Sequence, residues 1–276
     1  MTCLLGVDLG TSSVRALLID ADGRELALNG ENYTPDIPRP GYAEQDPDLW
    51  VEKAYAVIGR SLAQAGVPAE SVAAMAFSGQ MHGMVMVDKD GRPLRPAITW
   101  QDQRSKQAIT ELYARAGREL IGKCVQNNIA AGFLMASLYW LKGNEPEIYE
   151  RTHRVMLPKD DLKYRLSGVI TTDYSDAAGT TAFDNIQRDW SRAVREERDI
   201  DVEKSPPCLP AAAVMGPVTA PAAAATGLSQ KTLVGNGGAG QCIQAIGNGI
   251  VADGVFSSNI GTGGQMSAHT GSPIYD

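Results

Sequence analysis

The chain has 276 residues, of which 43% are hydrophobic and 21% are charged, and it carries a formal net charge of −7. This composition is typical of a folded globular protein with one large or two modest domains, and it excludes wholesale disorder. An acidic chain without a basic cluster argues against binding to nucleic acid or to an anionic membrane, and no apolar run reaches the roughly 20 residues of a membrane span.

Three strands open the predicted elements. Runs of apolar residues predict strands at Cys3–Asp8 and Val14–Asp20, joined by a tight turn at Leu9–Ser13. Asp22-Gly23 is a hairpin turn signal that leads into a third strand, Arg24–Asn32.

A helix and a buried strand follow a proline-rich loop. Asp46 suits an N-cap, Pro47 suits the first helical position, and helical periodicity continues over Leu49–Ala65. Val72–Ser78 then predicts a short buried strand. The next predicted elements are a hairpin of Met84–Val87 with Ala97–Trp100, helices at Gln103–Ala116, Phe133–Lys142 and Lys159–Leu166, and a strand at Arg154–Leu157.

The composition changes to proline and alanine around Ser205–Pro210 and Met215–Pro221, and this change predicts a domain boundary. We expect a first domain over residues 1–215 and an incomplete second domain over residues 216–276. The boundary is an interpretation of composition, because linkers between domains are often rich in such residues.

The predicted second domain repeats the strand–turn–strand order of the N-terminus. Thr232–Val234 predicts a strand that leads into a glycine-rich turn, and Cys242–Gly249 predicts a short helix. Val255–Asn259 and Gln265–Ala268 predict two further strands around a turn at Gly261–Gly264.

The four cysteines are scattered, without CxxC or histidine-paired spacing. This pattern excludes a zinc module and argues against a disulfide framework. The N-terminus runs directly into strand-like sequence, with no basic segment or cleavage site of a signal peptide. We therefore expect a cytoplasmic protein.

The turn after the first strand has the residues of a phosphate site. Gly10 permits a tight turn, so the backbone N–H groups and hydroxyls of Thr11, Ser12 and Ser13 could surround phosphate oxygens. Asp8, at the end of the strand, could hold Mg²⁺ through water, since magnesium keeps much of its hydration shell. The alternative is a plain hairpin turn beside a solvated aspartate.

A second turn of the same kind favours the phosphate interpretation. Gly261, Thr262 and Gly263 also follow a predicted strand and also combine glycine with a hydroxyl. Two such turns could clamp phosphate groups from two sides.

The order of the motifs along the chain resembles the FGGY family of carbohydrate kinases. The residues that carry the resemblance are Asp8-Leu-Gly-Thr-Ser-Ser13, Glu44-Gln-Asp-Pro47, Ser78-Gly-Gln-Met-His-Gly83, Trp100-Gln-Asp-Gln-Arg104, Leu157-Pro-Lys-Asp160, Thr172-Asp-Tyr-Ser-Asp-Ala-Ala-Gly179 and Asn259-Ile-Gly-Thr-Gly-Gly264. They cover essentially the whole chain. Within the family, Gln80-Met-His-Gly83 resembles the xylulokinases rather than the glycerol kinases.

The resemblance implies an α/β fold: an actin-like (ribonuclease H-like) ATPase domain with a mixed five-stranded sheet flanked by helices, followed by the opening strands of a second such domain. It also implies ATP-dependent phosphorylation of a pentulose, D-xylulose to D-xylulose 5-phosphate, with ATP and Mg²⁺ as cofactors. The expected partners are the sugar and ATP, with no nucleic acid and no membrane. A homodimer is an expectation at the level of the family.

The resemblance assigns Met81, His82, Asp102 and Gln241 to sugar contacts. His82 can donate to or accept from a sugar hydroxyl near neutral pH. For Met81 and His82 the alternative is a packing role in the core, and for Asp102 it is a helix cap. Trp100 could stack on the sugar.

The turn before Gln241 departs from the family pattern. In the family, this turn ends in an aspartate that accepts the proton of the attacking sugar hydroxyl. This sequence has Gly240 there, and no carboxylate lies between Lys231 and Asp253. Either glycine has replaced the aspartate or one residue has been lost. Family members are also about twice as long. The alternative function is therefore a catalytically inactive sugar-binding fragment or pseudokinase that lacks the base aspartate and the rest of the nucleotide-binding domain.

Overall fold

The computed structural model describes residues 1–196, 199–260 and 264–272. The strands, in chain order, are β1 Cys3–Leu9, β2 Ser13–Asp20, β3 Glu25–Asn32, β4 Glu44–Gln45, β5 Val72–Gly79, β6 Val85–Val87, β7 Ala97–Ile98, β8 Arg154–Met156, β9 Thr172–Asp173, β10 Phe183–Asp184, β11 Asp189–Trp190, β12 Cys208–Leu209, β13 Val214–Pro217, β14 Leu233–Gly235, β15 Phe256–Ile260 and β16 Gly264–Ala268. The helices are α1 Pro47–Ala65, α2 Lys106–Ala116, α3 Arg118–Val125, α4 Leu134–Asn144, α5 Pro146–Arg151, α6 Pro158–Ser167, α7 Tyr174–Gly179, α8 Arg192–Glu196, α9 Ala220–Thr226 and α10 Gly240–Gly247. No helix in these ranges is both long and apolar enough to cross a bilayer.

A mixed sheet of six strands, in the order β13-β14-β5-β1-β2-β3, lies at the centre of the fold. β1 pairs antiparallel with β2 and parallel with β5, and β14 pairs in parallel with the other side of β5. The predicted mixed sheet flanked by helices is confirmed, but it has six strands rather than five. The edge strand β13 contains Gly216 and Pro217, residues that are depleted in strands and tolerated at sheet edges.

The first helix packs its apolar residues on one face of this sheet. Asp46 caps α1 by accepting from the Asp48 amide, and Gly66 ends it in the left-handed conformation with φ of 62°. Trp50 and Ile58 of α1 are buried in the same core as the inward-facing residues of β1. The other residues of β1 point away from this core, so Asp8 is exposed.

The structure differs from the predicted division after residue 215. That position lies inside β13, which pairs with β14, and β14 joins β5 of the first domain. The alanine-rich and proline-rich sequence is therefore an edge strand and the helix α9, not a linker. The helix packs into the first core through Ala222 and Ala223.

The predicted hairpin of residues 84–100 is also revised. β6 pairs with β8, and β7 pairs with β4, each antiparallel. The predicted strands Met84–Val87 and Ala97–Trp100 are joined to each other by the isolated bridge of Met84 with Ile98. Their partners come from distant parts of the chain, and local sequence patterns do not reveal such pairing.

Candidate functional site

A cleft of about 690 Å³ opens at the carboxyl ends of β1 and β5. Parallel strands end at the same edge of a sheet, so the segments that follow β1 and β5 meet there. Its lining residues are Asp8, Gly10, Thr11, Ser78, Gly79, Gln80, Met81, His82, Trp100, Phe133, Gly240, Gln241, Ile243 and Gln244. The structure thus brings together most of the residues that the sequence singled out.

Asp8 is the carboxylate of this cleft, and none of the other described lining residues is acidic. It is paired in register with Ser78 of β5, whose hydroxyl donates to Asp8 Oδ1 over 2.6 Å. The described residues contain no cluster of three metal-binding side chains. One exposed carboxylate fits a magnesium ion that keeps most of its water ligands.

The predicted phosphate turn reaches the cleft with its first two residues. The Gly10 amide donates to the Ser13 carbonyl over 2.9 Å, which closes the turn. Gly10 and Thr11 line the cleft, whereas Ser12 and Ser13 are not among the described lining residues. Ser13 already belongs to β2 and pairs with β3.

Two side chains bind Thr11 directly, and a third supports one of these two. Gln45 Nε2 donates to the Thr11 carbonyl over 2.8 Å, and Trp100 Nε1 donates to the Thr11 hydroxyl over 2.8 Å. Gln80 in turn donates to Gln45 Oε1 over 3.0 Å. Trp100 thus stabilises the turn through this hydrogen bond and also lines the cleft. The second predicted phosphate turn, Gly261, Thr262 and Gly263, lies outside the described residues.

His82 is fixed by two contacts and a strained backbone. Its φ of 68° is rare for a residue other than glycine. The ring stacks on Phe133 with a centroid distance of 3.8 Å, and Nδ1 lies 2.7 Å from the Gly179 carbonyl. Burial lowers the pKa of His82 below its usual value, although the Gly179 hydrogen bond partly opposes this shift.

These contacts determine which nitrogen of His82 carries the proton. A carbonyl oxygen only accepts, so Nδ1 must be the N–H donor toward Gly179. A neutral ring protonated at Nδ1 has Nε2 as an acceptor. Such a nitrogen can accept a hydrogen bond from a sugar hydroxyl. Met81, another predicted sugar contact, lines the same cleft.

Asp102 does not reach the cleft. Its side chain is fully buried, and Arg104 donates to both carboxylate oxygens over 2.8 to 2.9 Å. The Ala43 amide donates to Oδ2 over 2.7 Å. Asp102 therefore holds the loop that carries Trp100, which corrects the sugar contact that the resemblance assigned to it.

Gly240 is the first residue of α10, and its neighbour Gln241 lines the cleft. A Cβ at Gly240 would lie 2.5 Å from the Gly79 carbonyl oxygen and 3.2 Å from its carbon. An aspartate here would need the end of β5 or the start of α10 to move. The close approach of these two backbones explains a glycine at this position.

Gly240→Ala is therefore expected to destabilise the protein by about 1–3 kcal/mol, as overpacking usually does. Gly247→Ala in the same helix is the matched control, because a Cβ there meets no atom within 4 Å. The control should be neutral or stabilising by up to about 1 kcal/mol, since alanine favours helix over glycine. Urea unfolding of both variants measures the difference, and equal midpoints would contradict the contact with Gly79.

Phe133 was missed by the sequence analysis as a site residue. It directly precedes α4 and reaches His82 only through the tertiary fold. Nothing in its local sequence distinguishes it from a core residue. Gln45 was noticed only as part of a motif, although its position before the cap of α1 places it beside Thr11.

Comparison with known proteins identifies the family. Residues 3–247 match the model of the N-terminal domain of the FGGY family of carbohydrate kinases. The chain is 34% identical over 269 residues to a xylulose kinase of Bacillus subtilis, which covers 98% of this chain and 54% of that protein. It is 35% identical over 269 residues, with the same coverage, to a xylulose kinase of Lactococcus lactis.

Solved structures agree with this result. The crystal structure of a xylulose kinase from Rhodospirillum rubrum superposes with a TM-score of 0.91 at 28% identity, covering 96% of this chain and 54% of that one. The chain therefore spans about half the length of the relatives it matches. With its family model, its relatives and its fold in agreement, the chain belongs to the FGGY family of carbohydrate kinases.

Proposed function

We propose that this chain is the sugar-binding half of an ATP-dependent pentulose kinase that converts D-xylulose to D-xylulose 5-phosphate. The observation that carries the proposal is the cleft itself, where Met81, His82 and Gln241 lie around the carboxylate of Asp8. The curated relatives named above are xylulose kinases. A cytoplasmic location and a homodimer belong to the same proposal, as does a second domain that begins after residue 247, where the match to the family's N-terminal domain ends.

Each residue has a distinct role in this proposal. His82 Nε2 accepts from a sugar hydroxyl, Gln241 binds a second hydroxyl, and Met81 packs against the carbon skeleton. Thr11 binds a phosphate oxygen through its backbone N–H group, and Gly10, whose own N–H donates to the Ser13 carbonyl, closes the turn beside it. Asp8 would hold Mg²⁺ through water, and the ion would neutralise charge on the transferred phosphoryl group.

A second candidate function is favoured by Gly240. The start of α10 supplies no carboxylate to the cleft, and its contact with Gly79 leaves no room for one. A protein with this cleft could bind the pentulose without transferring phosphate to it. The two candidates share the sugar site and differ in catalysis.

Two measurements on the same sample separate the candidates. Calorimetry with D-xylulose detects binding, and a coupled assay of ADP release with D-xylulose and ATP detects turnover. A kinase gives both signals, and a binding module gives heat alone. Absence of both signals would overturn the proposal. Glycerol in place of D-xylulose is the control in both measurements.

His82→Ala is expected to weaken D-xylulose binding by about 1–3 kcal/mol, the cost of leaving a buried polar partner unpaired. His153→Ala is the control, because His153 is not among the described residues that line the cleft and its described hydrogen bonds are made by its backbone: the amide donates to the Val87 carbonyl, and the carbonyl accepts from Arg154. Calorimetry compares the two variants. Unchanged affinity in His82→Ala would reassign His82 to a packing role.

A further inference from the structure

A network of buried charges lies beneath the floor of the cleft. We define this ion network as Lys159, Asp160 and Lys163 of α6 with Asp173 and Asp176 at the start of α7. All five side chains are at most 1% exposed. Lys159 Nζ lies 2.6 Å from Asp160 and 2.9 Å from Asp173. It also lies 3.1 Å from Asp176, and Lys163 Nζ lies 3.0 Å from Asp160.

The charges of the ion network balance when Asp176 holds a proton. Burial raises the pKa of Asp176 to about 7, although attraction to Lys159 opposes the shift. Burial alone would lower the pKa of Lys159, but its neighbours Asp160, Asp176 and Asp173 outweigh burial and raise it. Burial lowers the pKa of Lys163, and its contact with Asp160 opposes that shift. Each of these buried groups depends on its partners, so the ion network fixes the geometry of all of them.

The ion network is linked to the wall of the cleft that α10 forms. The Ser175 hydroxyl donates to Asp173 Oδ2 and accepts from the Ala239 amide over 2.9 Å. Ala239 directly precedes α10, whose second residue is Gln241. A second link is Asn236, whose side-chain oxygen accepts from Lys163 Nζ and whose amide donates to the Thr172 carbonyl over 2.9 Å.

The same ion network is also linked to the wall of the cleft that carries His82. Asp173 caps α7 by accepting from the Ser175 amide over 2.8 Å. The helix ends at Gly179, whose carbonyl accepts from His82 Nδ1 over 2.7 Å. The floor between the walls is Gly79, where an added Cβ would lie 3.2 Å from Lys159 Cβ.

We propose that the ion network positions both walls of the cleft, with Ser175 as the residue that transmits its geometry to α10. Ser175 belongs to α7 and binds the residue before α10, so it connects the His82 wall to the Gln241 wall. The claim that these walls bind a sugar rests on the proposed function. Ser175 is not among the described residues that line the cleft, so its effect on sugar binding is through position.

Ser175→Ala tests the proposal, because it removes the link to Ala239 and keeps Asp173 as the cap of α7. Ser61→Ala is the matched control. Ser61 is fully buried, its hydroxyl donates to the Ala16 carbonyl over 3.2 Å, and it belongs neither to the ion network nor to the described lining of the cleft. Both variants lose a serine hydroxyl that donates to one protein acceptor, and Ser61 is the more buried of the two, so a loss of general stability should affect Ser61→Ala at least as much.

Two readouts are measured on the full chain: amide hydrogen exchange and calorimetry with D-xylulose. Ser175→Ala is expected to speed exchange at Ala239 and the start of α10 by about ten-fold and to weaken sugar binding by about three- to ten-fold, the effect of one hydrogen bond. Ser61→Ala should change neither. Equal exchange at Ala239 in both variants would overturn the positioning role. Absence of sugar binding by the unaltered chain would overturn the proposed function, and the exchange comparison would still decide the positioning role.

Discussion

The 276-residue chain is expected to release ADP with D-xylulose at least about 10²-fold more slowly than a full-length pentulose kinase. General acid–base catalysis contributes about 10²–10⁴-fold, and the carboxylate that the family resemblance places before Gln241 is absent. Asp8 is the one acidic side chain among the described lining residues, and it is held by Ser78 at the phosphate end of the cleft.

The Bacillus subtilis relative, assayed beside this chain, supplies the reference rate. Calorimetry with D-xylulose checks that the sugar site is intact, so that a slow rate reports catalysis rather than misfolding. Turnover within ten-fold of the reference would mean that another group accepts the proton. Gly240→Asp is not expected to restore the rate alone, because its side chain would meet the Gly79 carbonyl.

Lys159→Met is expected to lower the free energy of unfolding by about 3–5 kcal/mol, the usual cost of removing one partner from a buried ion pair. The variant leaves Asp173 and Asp176 in the interior without their cation. Lys159 is the cation that the described ion pairs give to Asp173 and Asp176. This loss is large compared with the total stability of a typical domain.

Lys123→Met is the control for this experiment. Lys123 is 71% exposed and pairs with Glu119 one helical turn away, a contact worth about 0.3–0.5 kcal/mol. Urea unfolding followed by circular dichroism measures both variants, and expression yield reports the case in which Lys159→Met does not fold. A difference between the variants below about 1 kcal/mol would contradict the cost of the unpaired carboxylates.

The sequence predicted those elements whose signals are local. The apolar run of β1, the turn at Asp22-Gly23 and the cap at Asp46 each depend on neighbours within a few residues, and the structure confirms the elements they indicate. β13 was missed as a strand because glycine and proline contradict strand propensity. Its pairing with β14 supplies the hydrogen bonds that outweigh propensity.

The site was predictable where a motif carries its own geometry. Asp8 lies near the carboxyl end of β1, and His82 follows the carboxyl end of β5. The two parallel strands end at the same edge of the sheet, so the positions of both residues could be inferred from topology. The position of Asp102 could not be inferred in this way, because the sequence gives no sign that the Arg104 side chain folds back onto Asp102 and covers it. The ion network was also hidden, because lysine and aspartate on α6 are typical of a solvated helix face until α7 covers them.

The strand order of the central sheet has a consequence for synthesis on the ribosome. β5 ends at Gly79, but its parallel neighbour β14 begins only at Leu233. During translation, the edge of β5 must stay open while more than half the chain is made, and exposed strand edges promote aggregation. Pairing between segments so far apart is also slow. Expression fragments should therefore extend past β14, and one that stops at residue 215 would leave that edge permanently uncovered.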